Sequence, residues 1–348
     1  MPAISIDTFF ACALMVSVVL ISTALLPGIL NAQINSVQDL NEESYFRAVS
    51  EYIVSNCGVP SNWGSDSSSV PQTFGLAEES SLLSNELDID KVSRLNGENA
   101  FALSYLDILD SAGLNGVAVG ISISQLIDIS VTITSNSTMG NLTAYTFNVF
   151  VSQDGAPVVA SLHCYVVAND FLSDVYNGTS IEGQSYVQAE IPNASNGTAS
   201  FIVFARALDD PRITACQVYS FGNLSAAPLP NNTFLNLSPL NYTLFLSAEY
   251  SGVVVENCYA FSYAYEFNLT STSNTTYAIP QILDNGPTLL VVSGENDSTF
   301  FTESVAYPQV PLETGASFQN SESNAFSYVV IIKDTLYDLT LRFGGINQ

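Results

Sequence analysis

VAVGISISQLIDISVTITSNSTMGNLTAYTFNVFV, residues 117–151, places apolar side chains at every second position. Val117, Val119, Ile121 and Ile123 alternate with small or polar residues. So do Ile129, Val131 and Ile133, and then Tyr145, Phe147, Val149 and Val151. A period of two is that of a strand with one face buried. Asp154-Gly155 then supplies a hairpin turn, and apolar runs follow at Val158–Val167, Tyr186–Ile191, Phe201–Leu208 and Ile213–Tyr219. Short strands at this spacing predict a β-sandwich over 116–222.

A second β-rich unit is expected over 223–348. Its strands fall at Tyr242–Ala248, Val253–Phe267 and Thr288–Val292, and a closing hairpin pairs Tyr328–Ile332 with Tyr337, Leu339, Leu341 and Phe343. The passage DGAPVVASLHCYVV…IEGQSYVQAEIPN…GTASFIVFARA resembles immunoglobulin-like or carboxypeptidase-regulatory-like surface modules, which implies the fold alone.

Upstream, 57–115 reads as a connector rich in Pro, Gly and Ser, followed by short helices at Leu87–Val92 and Ala100–Ala112, the second ended by Gly113. Before it, Ala3–Ile29 is an apolar stretch whose single charge is Asp7. That is membrane-spanning length, too long for the apolar region of a secretory signal. Helical spacing continues through Val37, Leu40, Tyr45, Ala48, Val49, Tyr52 and Ile53, with Gly58 and Pro60 as the stop. One long hydrophobic helix over 1–56, kinked near Pro27-Gly28, is expected. The fold class is therefore α+β: a long N-terminal hydrophobic helix followed by a mainly β head with two sandwich units.

Ala3-Ile4-Ser5-Ile6-Asp7 followed by an apolar helix resembles the start of archaeal type IV pilin-like proteins with class III signal peptides. The resemblance implies cleavage before Ala3 and an acidic register residue at Asp7. It also implies identical subunits, joined through their N-terminal helices into a cell-surface filament. The spaced elements CG-P--WG, P--FGLA and LD--KV-RL of the connector are similar to those of surface proteins in this group. The alternative is a single-span, membrane-anchored cell-envelope or S-layer-associated protein that does not polymerise. In both readings the C-terminus faces outward.

The chain has 348 residues, with 33 Asp+Glu against 7 Lys+Arg, and a net charge of −26. Seven scattered basic residues cannot neutralise a run of phosphates, which excludes nucleic-acid partners. Four cysteines outside the apolar stretch predict two disulfides, Cys164 with Cys216 and Cys57 with Cys258. Asn-x-Ser/Thr sequons stand at Asn136, Asn141, Asn177, Asn193, Asn196, Asn223, Asn231, Asn236, Asn241, Asn268, Asn274 and Asn296, with none before 136. Their confinement to the presumed outer domains favours N-glycosylation over chance.

No catalytic residue, metal or cofactor is expected. The only imidazole, His163, lies beside Cys164 in an apolar run, where neighbours on a strand point to opposite faces. Asp88-Ile89-Asp90, Asp107 to Asp110, Asp209-Asp210 and Glu295 to Asp297 read as solvated acids without calcium-loop spacing. The ligand of the head is not legible.

Overall fold

The computed structural model describes residues 14–15, 42–83, 85–224, 227–282, 284, 286–318 and 323–345. The chain divides into two compact units, Met1–Glu51 and Tyr52–Gln348. In the first, 14–15 and 42–51 are helical; the second opens on helical residues 52–55. The described helical stretch carries Glu42, Glu43, Arg47 and Glu51, which suit water. Among the described residues no helix is long and apolar enough to cross a membrane. The fold is mainly β, and the expected α+β class built on a long hydrophobic helix is corrected accordingly. Most of that helix, 1–13 and 16–41, falls outside the described residues.

In the second unit two short helices precede the strands. Asp88 caps Ile89–Ser93 by accepting from the amides of Asp90 and Lys91, and Ser104 with Asp107 forms a capping box on Tyr105–Ala112, with Gly113 at its C-cap. β1 (Val117–Gln125) follows. Next come β2 (Asp128–Met139), β3 (Leu142–Gln153), β4 (Ala156–Pro157), β5 (Ala160–Ala168), β6 (Phe171–Thr179), β7 (Gln184–Pro192), β8 (Gly197–Ala207) and β9 (Thr214–Asn223). β2, β3, β4 and β7 make sheet A, and β6-β5-β8-β9 make sheet B.

β10 (Leu235–Leu240), β11 (Thr243–Ala248), β12 (Val253–Phe261), β13 (Glu266–Asn268), β14 (Thr270–Ser273), β15 (Thr276–Ala278), β16 (Thr288–Asn296) and β17 (Thr299–Tyr307) form two more sheets. β13-β12-β16-β17 is sheet C, and β10-β11-β15-β14 is sheet D. Finally β18 (Leu312–Gly315), β19 (Asn324–Ile332) and β20 (Thr335–Gly345) join β1 in sheet E, ordered β18-β1-β20-β19. All the strand pairings are antiparallel, and the expected closing hairpin is β19–β20.

Sheets A to D are stacked in that order, with three apolar cores between them. Val149, Val187, Phe147 and Phe201 fill the space between A and B, the two rings stacked at 4.0 Å. Tyr165, Ile202, Phe204, Phe261 and Val291 fill the space between B and C. Leu237, Leu244, Ala260, Leu290 and Phe301 fill the space between C and D. The middles of sheets B and C are therefore buried on both faces. Their central strands cannot alternate: β5, β8 and β16 are buried almost residue by residue, whereas β7 alternates buried and exposed.

Sheet E is fastened to this stack by main-chain mimicry. At the end of β1, the Gln125 side chain accepts from the Cys216 amide (3.0 Å) and donates to the Cys216 carbonyl (3.3 Å), so it pairs with β9 as a strand residue would. The connector is fixed by Trp63, which is wholly buried and donates from Nε1 to the Gly75 carbonyl at 3.1 Å. Lys91 and Arg94 lie 6.0 and 5.7 Å from its ring centre. Lys91 Nζ donates to the Ala77 carbonyl at 2.7 Å; Arg94 donates to the carbonyls of Phe101, Asp66 and Trp63. The spaced connector elements are thus one cluster in which scarce cations satisfy buried carbonyls.

Two buried carboxyls do the converse for donors. Asp90 accepts from the Tyr307 hydroxyl (2.7 Å) and the Asn241 amide (2.8 Å), and Glu303 accepts from the amides of Phe234 and Leu235 (2.7 and 2.9 Å). Asp90 is therefore not the solvated acid that its sequence context implies. Burial pushes both carboxyls above their ordinary range, although these hydrogen bonds oppose the shift.

Phe201→Ala should cost about 3–5 kcal/mol, read by denaturant unfolding, because it opens a cavity against Phe147 between two sheets that cannot close on it. Stability should also fall as pH rises. Below the ordinary carboxylate range, folded and unfolded chains both hold these protons. As pH climbs from there through the raised values of Asp90 and Glu303, the unfolded chain releases them first and stability is lost. Growing self-repulsion at −26 acts in the same direction. The melting temperature should fall as pH rises from the ordinary carboxylate range through the raised values of Asp90 and Glu303, and Asp90→Asn should flatten that slope. A melting temperature that rises with pH over that range, or a slope that Asp90→Asn leaves unchanged, would refute it.

Candidate functional site

Ala3, Asp7, Pro27 and Gly28, nominated for assembly, lie outside the described residues. Of the sequon asparagines, Asn136, Asn141, Asn177, Asn196, Asn231, Asn241, Asn268 and Asn274 are exposed, and Asn193, Asn236 and Asn296 are half-buried. Asn223 is fully buried. Its amide nitrogen donates to the carbonyls of Pro192 and Ser195 at 3.1 and 2.7 Å, and its oxygen accepts from the Tyr145 hydroxyl at 3.0 Å. A side chain so committed ties β9 to the β7–β8 turn and has no room for a glycan.

The predicted disulfides are absent: Cys57, Cys164, Cys216 and Cys258 are free thiols. Strand parity explains the first pair. Cys164 on β5 lies opposite Val203 of β8, while Cys216 on β9 lies opposite Phe204. Opposed residues share a face and consecutive residues do not, so Cys164 enters the A/B core and Cys216 the B/C core. With β8 between them, the two strands stand about 9–10 Å apart, beyond the reach of a disulfide. In the second pair, Cys258 points into the C/D core while the Cys57 sulfur contacts the Gly58 carbonyl in the connector. Burial pushes the thiols of Cys216 and Cys258 up to about 12 and that of Cys164 higher still.

His163 faces away from Cys164, as neighbours on a strand must. Its Nε2 is hydrogen-bonded to Asp174 at 2.8 Å, and its ring stacks on Tyr165 at 4.5 Å. Nδ1 lies 3.5 Å from the Tyr165 hydroxyl. Both nitrogens face groups within the sheet and its packing partners. Nearby, Arg206 pairs with Asp284 at 2.8 Å and lies 4.0 Å from the Tyr263 ring centre, and the Tyr263 hydroxyl donates to Ser161 at 2.6 Å. The cluster joins sheets B and C.

A groove of about 290 Å³ runs across the outward face of sheet E. Val119, Ile121 and Ile123 of β1 turn inward and are buried, so the residues between them face out. Register then sets two rows across three strands: Arg342–Gly120–Gly315, and Thr340–Ser122–Glu313. The floor of the first row is bare because side chains there would collide with backbone. A Cβ at Gly120 would lie 2.8 Å from the Ala316 carbonyl oxygen, and one at Gly315 2.2 Å from that of Val119. Phe318 lies over Gly120, its nearest ring carbon 3.2 Å from that Cβ position. Sequence reasoning missed this groove, since its residues are some 190 to 220 positions apart and are joined only by β1 pairing with β18 and β20.

No family model matches the chain, and no curated protein does. Among solved structures the chain is similar to HBP35 of Porphyromonas gingivalis, at 13% identity over 57% of this chain and 68% of that one, with a TM-score of 0.21. A likeness at that score carries no argument about fold or function.

The thiols provide a direct check on the site as described. Iodoacetamide applied to the native protein should leave Cys164, Cys216 and Cys258 unmodified, and applied without reductant after unfolding it should label all three. Protection that persists in the unfolded, unreduced chain would mean that a disulfide is present.

Proposed function

We propose that this chain is a non-enzymatic cell-surface subunit of the type IV pilus-like class. Its β body is displayed outward and N-glycosylated, and identical subunits associate through the apolar stretch Ala3–Ile29. The observation that carries the reading is the placement of the sequons. Eight are exposed, on sheets A to D or their turns, and none lies in the connector or sheet E. Chance sequons in a Ser/Thr/Asn-rich chain would not respect those boundaries.

The chemistry of the body supports a passive, durable role. Its imidazole is engaged by Asp174 and Tyr165, and the adjacent thiol is turned into a different core. Two central sheets whose middles are buried on both faces give a stiff support for display. The apolar stretch, with Asp7 as its only charge, is the part of the sequence suited to packing against copies of itself.

Shearing cells and analysing the released material by terminal and glycopeptide mass spectrometry tests this. Protein in the sheared fraction should begin at Ala3, carry glycans at exposed sequons such as Asn136 and Asn274, and be unmodified at Asn223. Protein that stays wholly with the cell-bound fraction and keeps its first residues would instead be a non-polymerising envelope protein. Unmodified asparagines throughout would remove the observation on which the proposal rests.

A further inference from the structure

We propose that the groove on sheet E is a binding site for an acidic saccharide, with Arg342 taking the carboxylate of a uronic-acid-type sugar. Charge accounting supplies the first argument. Arg47 pairs with Glu43 at 2.9 Å, Arg206 with Asp284 and Arg212 with Asp210. Lys91 and Arg94 are buried in the connector, and Lys333 is held near Asp284 and Asp334 and lies 5.9 Å from the Tyr242 ring centre. Arg342 is exposed and has no ion-pair partner among the described residues. In a chain with 33 acids for 7 bases, an exposed guanidinium with no ion-pair partner among the described residues is exceptional, and it lines the groove.

Spacing supplies the second. Arg342 and Glu313 share a face but stand two strands and one row apart, roughly 12 Å between Cα atoms from strand geometry. No ion pair joins them. A ligand that spans them must present an anion at one end and hydrogen-bond donors at the other. Ser122 and Thr340 hydroxyls lie between, the latter already sharing a 2.9 Å hydrogen bond with Ser327. Phe318 covers Gly120 and offers an apolar ring to the groove. A sugar acid matches this set: carboxylate on guanidinium in the two-pronged geometry, hydroxyls on Glu313 and the alcohols, and a C–H face on the ring. An acidic peptide would satisfy Arg342 but lacks the hydroxyls that Glu313, Ser122 and Thr340 would meet.

The groove is small and open, so a single site would bind weakly, and useful strength would come from many copies displayed together. Sheet E carries no sequon, so glycans need not cover the groove. The site does not depend on the assembly reading; a failure of binding leaves surface location and processing untouched.

Isothermal titration of the full chain at about 0.15 M salt, where charge effects reach only about 8 Å, tests the proposal with trigalacturonate and, as a neutral counterpart, maltotriose. Trigalacturonate should bind saturably and maltotriose at least tenfold more weakly. Arg342→Gln should weaken trigalacturonate at least tenfold, and Phe318→Ala and Glu313→Gln several-fold, with unchanged melting temperature for the two exposed charge variants. Arg212→Gln, a loss of equal charge elsewhere, should leave binding as it was. Absence of saturable trigalacturonate binding overturns the proposal, as does an Arg342→Gln variant that binds normally. Triglutamate binding as tightly as trigalacturonate overturns the saccharide assignment.

Discussion

The structure depends on the burial of the middles of sheets B and C on both faces. A sheet with one wet face tolerates polar residues at every second position; a sheet covered twice does not, and its strands must be apolar or small throughout. FIVFARA in β8 and TLLVVSG in β16 meet that demand. The same demand separates side chains that are neighbours in sequence into different cores. Cys164 and His163 differ by one position, yet one lies between sheets A and B while the other stacks on Tyr165 toward sheet C. The thiols stay reduced through geometry rather than chemistry, because β8 stands between them and parity turns them apart.

Charge is scarce in this chain and is spent on backbone. Lys91 and Arg94 satisfy carbonyls around Trp63, and Asp90 and Glu303 satisfy amides at the starts of strands and turns. Such groups are buried with partners, which offsets much of their desolvation but leaves the carboxyls easier to protonate. Removing one partner would leave a buried charge uncompensated, a larger penalty than the interaction contributes when intact.

The local structure was legible where physics acts over a few residues. The alternation in β3 and β7, the hairpin β19–β20 and the stop at Gly113 all follow from spacing and turn chemistry. Longer-range placement was not. Nothing in VAVGISIS says that β1 pairs with β18 and β20 rather than with β2, because register across some 200 residues has no local signature. The apolar runs that announced strands did not say whether one face or both would be covered, and the disulfide expectation failed on that point. Asn223 reads as an ordinary sequon until its amide is found tying two turns together. Asp90 reads as part of an acidic surface spot until Tyr307, 217 positions later, closes over it.

Layer order also bears on where recognition can reside. The central strands of sheets B and C have no outward face to offer. That leaves A, D and E. Asn136 and Asn141 stand on or beside the strands of A, and Asn236, Asn241 and Asn274 on or beside those of D. Sheet E has none, and its outward face is where two glycines, an arginine without an ion-pair partner among the described residues and an aromatic ring meet. Glycans on the other two sheets would screen them from macromolecules and leave this one open. A binding surface in this fold is therefore expected on the sheet whose strands come from the two ends of the β region, where β1 closes against the last hairpin.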